Sequence, residues 1–178
     1  MLSLVNKILL TIILASFIIG GFIYLGILQK PAVQEIKISN GIVADSLKNE
    51  SFCQAKENSV VTRVIDGDTV IVEGGFHIRL LGIDADEKGY PCFESAKKRL
   101  EELVLNKPVI LEKDRTDMDQ YERCLRTIFV GDKNIDAQLV GEGLAVARFY
   151  QPDVKYKTEI TDAERQAIEN KVGCKWSK

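Results

Sequence analysis

Between Ile8 and Leu28 the chain carries 21 consecutive residues without a charge, and this run constrains the protein more than any other feature. As a helix rising about 1.5 Å per residue it spans about 30 Å, the thickness of a bilayer's hydrocarbon core. A secretory signal has an apolar region of only about 7–15 residues, followed by a small-x-small cleavage site. Here the run continues through Phe22, Ile23, Tyr24 and Leu25 to Gln29 and Lys30 with no such site. Residues 1–30 therefore read as a single-pass transmembrane anchor, with secretion after signal cleavage as the alternative. A buried core helix fits less well, because nothing downstream offers partner helices for so apolar a segment. Lys7 and the amino terminus on one side nearly balance Lys30 and Lys37 on the other, so charge leaves the orientation open.

A chain of 178 residues holds such a segment and one ordinary domain, but not two full cores. Residues 31–58 are polar, mixed in charge and without a sustained period, which reads as a linker with order only near Cys53. Within it, Asn49-Glu50-Ser51 fits an N-glycosylation acceptor, which matters only in a eukaryotic secretory pathway. The domain then occupies residues 59–178. Cys53, Cys92, Cys124 and Cys174 form an even set without C-x-x-C spacing, which disfavours zinc and allows two disulfides. Disulfides place the domain on the oxidising, extracytoplasmic side; four buried thiols are the alternative.

From Val60 the pattern is strand-like. Val60 to Ile65, Thr69 to Glu73 and Phe76 to Ile83 are β-rich runs divided by Asp66-Gly67 and Gly74-Gly75, predicting a three-stranded meander. A helix follows, with Ala96, Leu100, Leu103 and Val104 on one face and Lys97, Lys98, Glu101 and Glu102 on the other. Val109 to Glu112 and Leu125 to Val130 predict two more strands, and a short helix lies around Ile135 to Glu142. Ala145 to Tyr150 either extends the sheet or runs as loop. Thr161-Asp162-Ala163-Glu164 has capping-box spacing ahead of a helix that should stop near Gly173, with Trp176 packing that end onto the body. The order of elements predicts an α+β fold built on a small barrel or curled sheet.

The net charge of −2 excludes the broad basic surface of long-footprint nucleic-acid binders, so a polyanionic substrate needs a local cationic pocket. Candidate residues for one exist. Asp66-Gly67-Asp68 by itself is an ordinary turn. Arg79, however, lies in a strand that should be apolar and ends in Asp84, Asp86 and Glu87, and carboxylates concentrated at a strand end suit a hard divalent cation. Tyr121-Glu122-Arg123 precedes a later strand and can deliver a second guanidinium. Two arginine forks, a cation and a base for water are what phosphodiester hydrolysis demands. His77 is the single histidine; a His-pair mechanism is unavailable, and the ring reads as packed or solvated.

Ile65-Asp66-Gly67-Asp68-Thr69-Val70, then Arg79-Leu80-Leu81 leading to Asp84 and Glu87, then Tyr121 and Arg123, and a helix ending near Trp176 together resemble the staphylococcal nuclease family over Val60 to Ser177. The resemblance implies an OB-fold-type five-stranded barrel with three helices, acting as a calcium-dependent, monomeric nuclease on DNA and RNA with a preference for single strands. It implies that Asp68, Asp84 and the Ala85 carbonyl hold one calcium ion. Arg79 and Arg123 would grip the scissile phosphate, and Glu87 would activate or orient water. Asp66 would support the metal site, Tyr121 and Tyr150 would line the nucleotide site, and the products would carry 3′-phosphates. Family geometry suggests Cys92–Cys124 and Cys53–Cys174 as disulfides. There are departures: Ala85-Asp86 stands where the family often has a proline after Thr or Ala. Glu122 replaces a glycine, Arg148 replaces a nucleotide-contacting tyrosine, and the loop Thr116 to Gln120 is longer. The competing functions are a tethered, non-catalytic oligonucleotide-binding barrel and a disulfide-stabilised interaction module.

Overall fold

A computed structural model describes residues 52–177. The apolar run, most of the linker and Asn49-Glu50-Ser51 lie outside the described residues. Among the described residues no helix is long and apolar enough to cross a membrane.

Five strands close on themselves. Strand β1 (Asn58–Val64) pairs antiparallel with β2 (Thr69–Val72) and with β5 (Pro108–Glu112). Strand β3 (His77–Leu80) follows β2 antiparallel, and β6 (Cys124–Val130) follows β5. A parallel pairing of β3 with β6 then seals the barrel, with Arg79 opposite Leu125. The two-residue β7 (Lys133–Asn134) turns back to pair antiparallel with the end of β6. The alternation expected of a half-buried strand is plain in β3, where Ile78 and Leu80 are buried while His77 is exposed. Of the packed and solvated states expected for His77, the ring takes the solvated one.

The expected strand Phe76 to Ile83 is broken in two. Gly82 adopts φ +73°, and β4 (Ile83–Ala85) leaves the barrel to pair with β8 (Ala145–Ala147) as a separate ribbon, Asp84 opposite Val146. A Cβ at Gly82 would lie 2.6 Å from Phe149 and 2.9 Å from Ile160, so both the turn and the packing require glycine. Ala145 to Tyr150 accordingly extends a sheet over its first three residues only.

Helix α1 (Phe93–Val104) buries Ala96, Leu100 and Val104, the face read from the sequence. Helix α2 (Ile135–Gly141) is capped by the Asn134 side chain, which accepts the Ala137 N–H at 3.1 Å. Burying Leu100, Ile128, Ile135 and Leu139 completely contributes about 1.5–3 kcal/mol per side chain before entropy is counted.

Helix α3 (Lys157–Glu169) begins a turn before the expected capping box and stops at Asn170, short of Gly173. Tyr156 fixes the start: its hydroxyl donates to Glu112 at 2.6 Å and its ring packs edge-on against Phe129. Thr161 is therefore mid-helix, and Glu164 instead accepts the Ala147 N–H at 2.8 Å, tying α3 to β8. Gly173 opens a further turn, α4 (Gly173–Trp176), so the described residues hold four helices rather than three. Trp176 is half-buried.

The disulfides are Cys53–Cys124 and Cys92–Cys174, not the pairs suggested by family geometry. The segment ahead of β1 reaches the start of β6, where Cys53 meets Cys124 and its N–H donates to Asp117 at 3.0 Å. Asp86 accepts the Cys92 N–H at 2.9 Å and pairs with Lys175, bringing the start of α1 to α4. Peptide mapping without reduction should recover these two pairs; a Cys92–Cys124 peptide would contradict the arrangement. Each bridge spans a long loop, 71 and 82 residues, so reducing either should lower stability by about 4 kcal/mol on the chain-entropy account, read as a fall in Tm.

Candidate active site

The β1–β2 turn, the β3–β4 turn and the loop before β6 meet at one end of the barrel. Gly67 makes the first approach possible: a Cβ there would lie 2.6 Å from the Ala85 Cβ and 2.7 Å from the Ala96 Cβ. The Asp-Gly-Asp turn needs glycine for contact with β4 and α1 rather than for its own dihedrals, and the contact sets Asp68 against Ala85.

Arg79 organises the site. One of its Nη atoms donates to the Leu80 carbonyl at 2.6 Å; the other donates to the Ile83 carbonyl at 3.0 Å and lies 3.1 Å from Asp68 and 3.5 Å from Asp84. Asp68 is buried, accepts the Ala85 N–H at 2.8 Å and accepts the Thr69 hydroxyl at 3.2 Å. Burial nonetheless raises its pKa to about 6, outweighing the charge of Arg79. Asp66 accepts the Asp68 N–H at 3.0 Å and so steadies the turn.

The donor set fits a hard divalent cation. Asp68 and Asp84 reach one guanidinium nitrogen, so their oxygens converge, and a bound cation would offset the desolvation that burial imposes on the Asp68 carboxylate. Among the described residues there is no cluster of three or more His, Cys, Asp or Glu side chains able to hold a metal, so carbonyl and water oxygens would complete a coordination sphere. Asp86, which the sequence places beside this site, is instead engaged by Cys92 and Lys175.

Beside these carboxylates lies a pocket of about 570 Å³, lined among others by Arg79, Arg123, Arg148, Tyr121 and Tyr150. Tyr121 and Tyr150 are 70% and 68% exposed, leaving two aromatic faces open. Arg123 is held by Asp119 at 2.7 Å and sits 5.5 Å from the Tyr121 ring centre. Asp119 also accepts the N–H groups of Tyr121 and Arg123, and these bonds together with Arg123 hold its carboxyl below the ordinary range despite its burial. Glu122 between them adopts φ +61°: the position keeps the left-handed backbone that glycine would adopt freely, and Asp119 clamps both sides of it. Glu87 lies two residues beyond β4 in an exposed turn, and no ion pair of the described residues involves it.

Sequence reasoning did not find Asp119, Arg126 or Asp136. Arg126 is buried and pairs with Asp117 at 2.7 Å, bracing the loop before β6; the only trace in the sequence is a charge inside an apolar strand. Asp136 reads as an ordinary acid in the first turn of a helix, yet it is fully buried and one of its oxygens has no partner.

These features define a small closed barrel with a carboxylate–arginine site beside an aromatic-walled pocket. Residues 77–178 match the family model described as staphylococcal nuclease homologue. The chain is 36% identical over 120 residues to a thermonuclease of Staphylococcus intermedius, covering 62% of this chain and 71% of that protein. It is 34% identical over 130 residues to a thermonuclease of Staphylococcus hyicus (67% and 77%), and 36% identical over 132 residues to Endonuclease YncB of Bacillus subtilis strain 168 (68% and 62%). The chain belongs to the staphylococcal nuclease family.

Burial pushes the Asp136 carboxyl well above the usual carboxylate range, against hydrogen bonds from Ile128 and Thr127 and the charge of Arg79. A raised folded-state pKa means the folded protein holds this proton to higher pH than the unfolded chain. Its stabilising effect is thus fully present below the unfolded value of about 4 and is lost as pH rises through the folded value. Asp136→Asn keeps an oxygen to accept the Ile128 N–H and removes the titration. The Tm of the variant should equal that of the parent near pH 4 and exceed it increasingly towards pH 8; a constant difference across that range would contradict the assignment.

Proposed function

We propose that this protein is a calcium-dependent nuclease that hydrolyses phosphodiester bonds of DNA and RNA, acting as a monomer with a preference for single strands. The observation that carries the reading is the convergence of Asp68 and Asp84 on one Arg79 nitrogen next to a pocket holding Arg123 and two exposed tyrosines. Relatives named thermonuclease and endonuclease support it.

In this reading Asp68, Asp84 and the Ala85 carbonyl hold one calcium ion, and Asp66 supports Asp68 through its backbone. When bound, such an ion would supply positive charge opposite the negative charge that builds on the phosphate in the transition state. Arg79 and Arg123 take the non-bridging oxygens of the scissile phosphate through paired N–H donors. Arg79 is suited to this because its two carbonyl bonds fix the plane of its fork before substrate arrives. Glu87 orients the attacking water and takes its proton. As the bond from water oxygen to phosphorus forms, the bond to the sugar 5′-oxygen breaks in line, that oxygen takes a proton from solvent to leave as the 5′-hydroxyl, and the phosphate stays on the 3′-oxygen. Tyr121 and Tyr150 stack on bases, which requires the bases to be unpaired and favours single strands.

Purified protein should cleave single-stranded DNA and RNA with calcium and not with chelator. Arg79→Ala should abolish cleavage. Arg79→Lys, which keeps the charge that Asp68 needs, should also lose most of it for want of a planar fork. Glu87→Gln should lower kcat by at least about 100-fold while oligonucleotide binding persists. Tight binding without cleavage under any cation would instead make the protein a non-catalytic oligonucleotide-binding barrel.

Residues 1–30 serve in the same reading as the membrane anchor, with the disulfide-bonded domain on the extracytoplasmic side. The protein should stay with membranes through alkaline carbonate extraction; release into the soluble fraction would favour secretion after cleavage.

A further inference from the structure

Arg148 follows β8 directly, and its N–H donates to the Gly82 carbonyl at 2.9 Å. That bond anchors its backbone to the turn that delivers Asp84. Its side chain reaches back over β4, with Nε 3.0 Å from Asp84, and lines the same pocket as Arg79 and Arg123. The three guanidiniums differ in depth. The Arg79 side chain is 15% exposed, that of Arg123 30% and that of Arg148 51%. Arg79 is oriented by two carbonyl groups and Asp68, and Arg123 by Asp119; Arg148 is the outermost, beside the exposed Tyr150. A single phosphodiester group between Arg79 and Arg123 leaves this third cation without an anion once Asp84 is committed to a divalent ion.

We propose that Arg148 forms a second phosphate subsite, which binds the phosphate adjoining the scissile one along a nucleic-acid strand and in doing so gives up Asp84 to the cation. The proposal rests on the nuclease reading and specifies its substrate as a strand with at least two consecutive phosphates. Two consequences follow from the geometry. A ligand with two phosphates gains a charge-assisted contact that a ligand with one cannot make. Because the guanidinium and the cation compete for Asp84, the second phosphate and the cation promote each other's binding, as linkage requires of any ligand that removes a competitor.

Three measurements test this on the whole protein. With calcium present, wild-type protein should bind the trinucleotide TpTpT, with two phosphates, roughly tenfold more tightly than the dinucleotide TpT, with one, both carrying methylene in place of the bridging 5′-oxygen so that neither is cleaved. In Arg148→Ala the ratio should fall to about one, whereas Arg148→Lys should retain part of it through its point charge. Calcium alone, titrated by calorimetry without nucleic acid, should bind Arg148→Ala several-fold more tightly than wild type, because the competitor for Asp84 is gone. An unchanged length preference in Arg148→Ala overturns the subsite, and an unchanged or weakened calcium affinity overturns the exchange at Asp84. Wild-type protein that binds neither oligonucleotide overturns the nuclease reading and this proposal together, so the two failures are told apart.

Discussion

The Arg79 guanidinium is the constraint around which the functional end of the barrel is arranged. Four oxygens meet it: two backbone carbonyls from the β3–β4 turn and carboxylates from Asp68 and Asp84. Asp68 is buried deeply enough for desolvation to raise its pKa to about 6 even beside that charge, so the pair is not an ornament of the surface. Removing one partner of such a pair strands the other in low dielectric, at a cost of about 3–5 kcal/mol. The same contacts that hold the turn therefore hold the carboxylates together.

Steric detail lets this meeting happen. Gly82 turns the chain out of the barrel after Leu80, so that Asp84 emerges on the β4–β8 ribbon rather than on the barrel wall. Gly67 lets the opposing turn come within contact of Ala85 and Ala96. The two disulfides then fasten the flanks of the domain: Cys124 sits immediately after Arg123, and Cys92 lies at the start of the helix that follows the carboxylate segment. With Asp119 clamping Arg123, the second guanidinium is held without the glycine that would allow its backbone turn freely.

Much of this was legible in the residues themselves. Binary patterning located the strands and the buried face of α1, and one arginine amid apolar residues together with an acidic strand end pointed to the site. What escaped depended on contacts distant in sequence. The disulfide pairing turns on the segment before β1 meeting the start of β6, which no local pattern encodes. The early start of α3 depends on Tyr156 meeting Glu112 and Phe129, a tertiary anchor that overrides the capping-box signal at Thr161. The sequence puts the charge of Asp86 beside the site, yet Lys175 and the start of α1 draw it away. Asp136 carried the signature of a surface helix acid, and only the packed fold shows it buried.

The central claim is that Asp68 and Asp84 form a single cation site organised by Arg79. Calorimetric titration of the protein with calcium tests it most directly, comparing wild type with Asp68→Asn and Asp84→Asn. The account predicts one ion per chain in wild type and binding that is lost or severely weakened in each variant. Undiminished binding in both variants would contradict it.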